Sequence, residues 1–262
     1  MSGDEAPAAG EGRDGLVLGQ DPAPHEVVRA VVTVRLLRAS LGCTAVFLVL
    51  SAAISAGSAW LAGFDSRWST QFFSFAVDHT GLQPVVRLAT ALGNGWTVTL
   101  VTTAAVIWCA TRRSWALGLW LVAVVAGSAV LSTLVKNGFS RARPATEGLL
   151  ASAHGFSFPS GHSQAATVTY SAVVLVVGWQ LARPGPLARR VSAALVVVVV
   201  GAVGLSRILL GVHWPTDVLG GWLLGSAWVT AATYILLRYV LPGDARSAPS
   251  DPSTDPGAET PE

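Results

Sequence analysis

Charged residues are scarce in this sequence. They make up 12% of the 262 residues, whereas soluble domains carry about 25%, and 52% of the residues are hydrophobic. This deficit of charge favours lipid over water as the solvent of the folded chain. The small net charge of +2 comes without a basic stripe or a zinc-finger spacing, so nucleic-acid binding has no support.

Cysteines and carboxylates are also few. Cys43 and Cys109 both stand inside long apolar runs, which is typical of small buried hydrophobic side chains. No disulfide framework is predicted from them. Between Lys136 and Asp217 the only acids are Glu147 and Asp217 itself, too few for a two-metal phosphatase site. We therefore expect neither a metal nor a cofactor.

The two ends of the chain differ in composition from its centre. Residues 1–26 are rich in Gly, Ala, Pro and acids, and residues 243–262 in Pro, Ser, Asp and Thr. Such segments are typical of disordered tails, and the first of them lacks the apolar core of a signal peptide. The sequence predicts one folded domain over residues 27–242, between two cytoplasmic tails.

Apolar segments of membrane-spanning character recur through that domain. Since backbone groups in lipid need internal partners, and no barrel-like alternation is present, these segments are predicted to be helices. The predicted fold is therefore an all-α, polytopic membrane protein with six transmembrane helices. The six segments are Ser40–Ala62, Trp96–Ala110, Trp115–Val135, Ser163–Leu181, Val191–Leu210 and Asp217–Val240.

The distribution of arginine predicts the orientation. Arginines precede the first span, follow the sixth, and occupy the turns between spans two and three and spans four and five. The positive-inside rule places that side, with both termini, in the cytoplasm. The outer side then receives six basic residues, an excess that favours anion binding by several of them. These six are Arg67, Arg87, Lys136, Arg141, Arg143 and Arg207.

The segment Asp65–Asp78 mixes aromatic and polar residues. Its aromatic residues include Trp68, Phe72 and Phe75. We interpret it as an interfacial segment on the outer membrane surface, which either guides substrate or is a plain amphipathic loop.

Three motifs stand at the outer ends of the last four predicted spans. In order, they are Lys136 with Arg143-Pro144 after six residues, then Pro159-Ser160-Gly161-His162, then Ser206-Arg207 with His213 after five residues and Asp217 after three more. In this order and spacing the chain resembles the type 2 phosphatidic acid phosphatase (PAP2) family, over roughly residues 90–240. The resemblance implies a helical core shared with vanadium haloperoxidases and bacterial acid phosphatases.

The basic residues of these motifs suit a phosphate group. Phosphoryl transfer spreads charge over three equatorial oxygens, and catalysis depends largely on positioning and charge stabilisation. Lys136, Arg143 and Arg207 supply three cations, two of them guanidinium groups suited to bidentate contact. The alternative for a basic residue here is a snorkelling interfacial cation, which fits Arg67 and Arg141.

The remaining motif residues suit nucleophilic catalysis. Ser160 is predicted to cap a helix, and Gly161 lets an oxyanion approach the N–H groups of that helix start. His213 and Asp217 are four residues apart, so Asp217 can hold one imidazole nitrogen protonated and leave the other to attack phosphorus. The resemblance implies the same roles, with His213 forming a phosphohistidine. His162 is then the group that protonates the leaving oxygen.

Two further polar residues near these motifs have weaker claims. His154 precedes the second motif but lies outside its positions, and we interpret it as a loop or surface histidine. Asn94, just before the second span, is a weak candidate for a substrate contact.

The resemblance implies a metal-independent phosphatase that acts on a membrane lipid phosphate, on the extracytoplasmic face of a bacterial plasma membrane. Undecaprenyl (polyprenyl) diphosphate is the favoured substrate, and phosphatidate or phosphatidylglycerophosphate is the alternative. A non-hydrolytic lipid-phosphate binding protein or a phosphotransferase stays open, although binding alone would need only the cations. A haloperoxidase is disfavoured because those relatives are soluble.

Overall fold

The computed structural model describes residues 24–146, 150–181 and 185–241, and the regular structure in these ranges is helical. The predicted all-α class is confirmed. The predicted tails lie outside the described residues, except that the first helix already begins at Pro24. The helices are α1 (Pro24–Ser55), α2 (Ala59–Asp78), α3 (Gln83–Ala91), α4 (Gly95–Thr111), α5 (Trp115–Phe139), α6 (Gly161–Gln180), α7 (Pro186–Leu209) and α8 (Pro215–Ile235).

Six membrane-spanning helices are not confirmed. Four helical segments of the described chain are long and apolar enough to cross a membrane. A fifth candidate combines Thr80–Ala91 with Gly95–Thr111, which meet at a bend of 48°. The four single segments are Val27–Ser55, Trp115–Phe139, Pro186–Leu209 and Pro215–Val240.

The predicted span that fails this test is α6, because it is polar. Ser163, Gln164 and Thr169 are buried on it. This helix packs against α4, α5, α7 and α8, and its polar residues Ser163, Gln164 and Thr169 lie among the side chains buried there. A helix enclosed in this way can carry polar groups at membrane depth.

The first predicted span, Ser40–Ala62, has the wrong bounds. Helix α1 ends at Ser55, and the chain turns over residues 56–58, where Gly57 adopts φ 65°. A positive φ favours glycine, which has no Cβ to clash. The hydroxyl of Ser58 then accepts the Leu61 N–H at 3.5 Å and starts α2.

The segment predicted as interfacial is helical, so the plain-loop alternative is wrong. It forms most of α2, which has two different faces. One face carries an aromatic ladder, with ring centroids 5.9, 6.3 and 5.8 Å apart, formed by Trp60, Phe64, Trp68 and Phe72. The other face is buried, through Asp65, Ser69, Phe73 and Ala76. Its location on the outer surface stays a prediction.

Glycines on α8 bring the starts of α6 and α8 together. A Cβ on Gly221 would lie 2.6 Å from the carbonyl oxygen of Ser160, and one on Gly225 would lie 2.9 Å from Cβ of Thr167. Small residues of this kind let helix backbones approach closely within a membrane. The second and third motifs therefore meet at one end of the bundle.

Candidate active site

A cavity of about 400 Å³ lies where the ends of α3, α5, α6 and α7 meet. Six of the eight predicted site residues line it, namely Lys136, Arg143, Gly161, His162, Arg207 and His213. Ser160 and Asp217 lie behind the cavity, and both are fully buried. In the described part of the chain, no three His, Cys, Asp or Glu side chains are grouped to hold a metal ion.

His213 lies in the turn between α7 and α8, with its two ring nitrogens in different surroundings. Nδ1 is 3.3 Å from Oδ2 of Asp217, and Nε2 is 3.2 Å from Nη1 of Arg143. Because a guanidinium group can only donate, Nε2 must accept and Nδ1 must carry the proton. The lone pair of Nε2 therefore lies on the cavity side of the ring.

The environment of His213 keeps the imidazole neutral. Burial lowers the pKa of His213 to about 4, although the hydrogen bond and charge of Asp217 act in the opposite direction. The nearby guanidinium groups of Arg207 and Arg143 lower this pKa further. A neutral imidazole with an unprotonated Nε2 is the form that a nucleophile requires.

Asp217 is held in place by donors other than His213. Its Oδ2 accepts the main-chain N–H of Trp214 at 2.9 Å, which caps the first turn of α8. The hydroxyl of Ser157 donates to the same oxygen. Oδ1 accepts from Arg141 at 2.6 Å. The carboxylate thus has little freedom to turn away from the imidazole.

Neutral oxygens orient two of the predicted cations. Lys136, in the last turn of α5, donates from Nζ to the carbonyl oxygen of Phe156 at 2.8 Å. Arg143 donates to the carbonyl oxygens of Val212 and His154 at 2.7 and 2.9 Å. These acceptors fix both side chains at the cavity. The exposed side chain of His154 agrees with a loop histidine.

Residues of α3 and of the start of α4 contact two more of the predicted site residues, Arg207 and His162. Arg207, in the last turn of α7 and 5% exposed, donates to the Thr90 hydroxyl at 2.7 Å. Nε2 of His162 lies 2.8 Å from Oδ1 of Asn94. An amide oxygen accepts, so Nε2 carries the proton in this arrangement. Asn94 thus contacts His162, the predicted acid–base group.

Sequence reasoning missed the surroundings of Asp217. Arg141 was predicted to be a snorkelling cation, but it bridges Asp217 and Asp65, at 2.6 and 2.7 Å. That prediction is wrong because the guanidinium group points into the protein. The sequence carried a signal for this contact. Asp65, Ser69 and Phe73 are spaced four residues apart, which places them on one face of α2, and that face is buried. An acid on such a face needs a buried partner.

A cation-lined cavity with two histidines, on a helical membrane fold, defines a class of protein that handles phosphate groups. Residues 117–240 match the sequence profile described as the PAP2 superfamily, and they contain all eight predicted site residues. A decaprenylphosphoryl-5-phosphoribose phosphatase of Mycobacterium tuberculosis is 30% identical over 164 residues, which are 58% of this chain and 80% of that protein. The chain belongs to the PAP2 superfamily, and the resemblance seen in the motifs is confirmed.

Two similarities involve Bacillus subtilis. Its phosphatidylglycerophosphatase B is 36% identical over 118 residues, 44% of this chain, and the match spans only about half of that relative's length, 55%. A crystal structure described as the first transmembrane PAP2-type phosphatidylglycerolphosphate phosphatase, from the same species, matches with a TM-score of 0.64 at 26% identity. That match covers 74% of this chain and 94% of the other.

Proposed function

We propose that this protein is a lipid phosphate phosphatase that works through a phosphohistidine on His213 and needs no metal. The observation that carries the proposal is the direction of the imidazole. Nδ1 faces Asp217 at 3.3 Å, while Nε2 faces the guanidinium group of Arg143 at 3.2 Å, beside the cavity. A phosphate that replaces Nε2 as the acceptor of the Arg143 N–H would therefore lie beside the lone pair of Nε2.

The first chemical step is an in-line displacement at phosphorus. Nε2 of His213 forms a bond to phosphorus while the bond from phosphorus to the leaving oxygen breaks. Lys136, Arg143 and Arg207 stabilise the charge on the three equatorial oxygens. His162, protonated on both ring nitrogens when the lipid phosphate is bound, donates one proton to the leaving oxygen and becomes the neutral imidazole, so the alcohol or the shortened lipid phosphate departs with that proton.

The second step releases phosphate. His162 has lost its proton, so it can now accept one from a water molecule that attacks the phosphohistidine. The bond between phosphorus and Nε2 breaks, inorganic phosphate forms, and His213 returns to its neutral state. Asp217 keeps Nδ1 protonated in both steps.

We propose a polyprenyl diphosphate, such as undecaprenyl diphosphate, as the first substrate candidate. The relative of which this chain covers 80% is named for a polyprenyl-linked substrate. A glycerophospholipid phosphate is the second candidate, because the matching crystal structure is a phosphatidylglycerolphosphate phosphatase. The site is proposed to face the outside of a bacterial plasma membrane, with both termini in the cytoplasm, as the arginine distribution predicts.

The test is phosphate release by detergent-purified protein in the presence of EDTA. Undecaprenyl diphosphate, phosphatidate and phosphatidylglycerophosphate are compared for the wild type, His213→Ala and the control His79→Ala, which changes an exposed histidine at the end of α2. We expect metal-independent release that His213→Ala abolishes and His79→Ala preserves. Release that survives His213→Ala would contradict the mechanism. Faster release from a glycerophospholipid would reverse the substrate order.

A further inference from the structure

A buried chain of charges runs behind the cavity. Arg141 donates from Nη1 to Asp217 at 2.6 Å and from Nη2 to Asp65 at 2.7 Å. Asp217 and Asp65 are 0% and 1% exposed. Asp65 comes from α2 and so lies outside the residues 117–240 that match the family. An additional helix is thus connected to the carboxylate that faces His213.

Asp65 also holds the first turn of α8. Its Oδ1 accepts the main-chain N–H of Thr216 at 3.0 Å, and its Oδ2 accepts the Thr216 hydroxyl. Thr216 directly precedes Asp217. The two carboxylate oxygens of Asp65 therefore hold the backbone next to Asp217 as well as Arg141, which pairs with Asp217. A buried carboxylate is costly unless it is paired in this way.

The signs of these charges matter for His213. The positive charge of Arg141 lies beside Asp217 and opposes its negative charge. Asp65 adds a second negative charge, which leaves the three groups with one net negative charge. When Nε2 forms its bond to phosphorus, the ring becomes positive, and a net negative charge behind Nδ1 stabilises that state.

We propose that Asp65 is a positioning residue for this reaction. It holds Arg141 and the first turn of α8 so that Asp217 faces Nδ1 of His213, and it adds a negative charge that offsets the positive charge of Arg141. This inference rests on the proposed phosphohistidine mechanism. It gives α2 a role in catalysis although Asp65 does not line the cavity.

The test compares Asp65→Asn with Asp78→Asn in the full-length, detergent-purified protein. Asp78 is an exposed residue that ends the same helix, so the control makes the same chemical change outside the charge chain. With undecaprenyl diphosphate as the probe, Asp65→Asn should lower kcat about tenfold and leave KM within about twofold, as expected for one member of a coupled network. Asp78→Asn should match the wild type. A rise in KM alone, or no change, would overturn the inference.

A double variant distinguishes an electrostatic effect of Asp65 on His213 from a role in folding alone. Asp65→Asn with Arg141→Gln removes both the negative charge and the positive charge that it offsets, so Asp217 again presents one negative charge to His213. We expect kcat of the double variant to be higher than kcat of Asp65→Asn alone. A double variant slower than either single variant would mean that the network only supports the fold.

A spectroscopic measurement keeps this inference separate from the proposed function. In nitrogen NMR of histidine-labelled protein in micelles, the His213 signal is assigned by its loss in His213→Gln. Asp65→Asn should shift this signal and lower the pH at which it titrates, because a negative charge has been removed. Asp78→Asn should leave it in place. If the wild type releases no phosphate, the proposed function fails, and the His213 signal alone still decides the role of Asp65.

Discussion

The main-chain N–H of Ser160 donates to the main-chain oxygen of Asp217 at 2.9 Å. This hydrogen bond joins the start of α6 to the first turn of α8, and so it joins the second motif to the third. Because both partners are backbone atoms, the contact depends on how closely the two helices approach. Gly221 permits that approach.

Gly221→Ala should destabilise the protein. The added Cβ would lie 2.6 Å from the Ser160 carbonyl oxygen, and a backbone atom cannot move aside as a flexible side chain can. We expect a loss of about 1–3 kcal/mol in the free energy of unfolding, typical of overpacking. Gly201→Ala on α7 is the control, because its Cβ would have no atom within 4 Å. Thermal unfolding in detergent checks both, and equal midpoints would contradict the packing argument.

The low pKa of His213 predicts a pH-dependent stability. Burial lowers this pKa to about 4 from the ordinary value of 6.5. The unfolded chain therefore binds more protons at this residue between these two values, and stability is lost as the pH falls through that window. The loss should approach about 3 kcal/mol at most. Unfolding at pH 7 and near pH 4.5 measures it, and His213→Gln should lose less stability than the wild type or His79→Gln.

The role of His162 predicts a dependence on the leaving group. His162→Ala should slow the hydrolysis of phosphatidate or phosphatidylglycerophosphate by about 10²–10⁴-fold, since the alkoxide leaving groups of these monoesters need a proton. The loss should be smaller with p-nitrophenyl phosphate, whose leaving group departs without protonation. Asn94→Ala should act in the same direction but more weakly, because Asn94 only holds Nε2 of His162. Equal losses on both types of substrate would assign His162 to binding rather than to proton transfer.

Orthovanadate, a phosphate analogue, should inhibit the enzyme through the cation cavity. Arg143→Lys removes the guanidinium group that contacts Val212 and His213, and a lysine ammonium cannot reproduce this fork. We expect the inhibition constant for vanadate to rise by about 10–100-fold, the value of one or two charge-assisted hydrogen bonds. Arg67→Lys, at an exposed position on α2, is the control. Inhibition that is equally strong in both variants would place vanadate elsewhere.

Sequence analysis predicted the parts of the site that depend on residues close together in the chain. The spacing of His213 and Asp217 predicts neighbouring side chains, which the structure has, although His213 itself precedes α8. The Ser-Gly pair at Ser160 predicts a helix start, which the structure also has. The helical class follows from the apolar runs. These features are determined by short stretches of consecutive residues, so a sequence pattern can predict them.

The features that sequence analysis missed depend on packing between distant segments. The position of Arg141 in the sequence is typical of an interfacial cation. Its partners Asp65 and Asp217 become apparent only where α2 approaches α8. The predicted span at α6 is not confirmed for a similar reason, since the apolar length of a segment does not show which helix packs against several others. The turn at Gly57 was missed because apolar residues continue through it.

The two faces of α2 have a practical consequence for measurement. Trp60 is 75% exposed on the aromatic ladder, and Asp65 is buried one helical turn further on the opposite face. If α2 lies at the membrane surface as predicted, a detergent that replaces lipid around the ladder acts on the helix that also carries Asp65. Rate constants from micelles and from bilayers should be treated as belonging to two different environments, and reconstitution into nanodiscs is the reference condition for comparing variants.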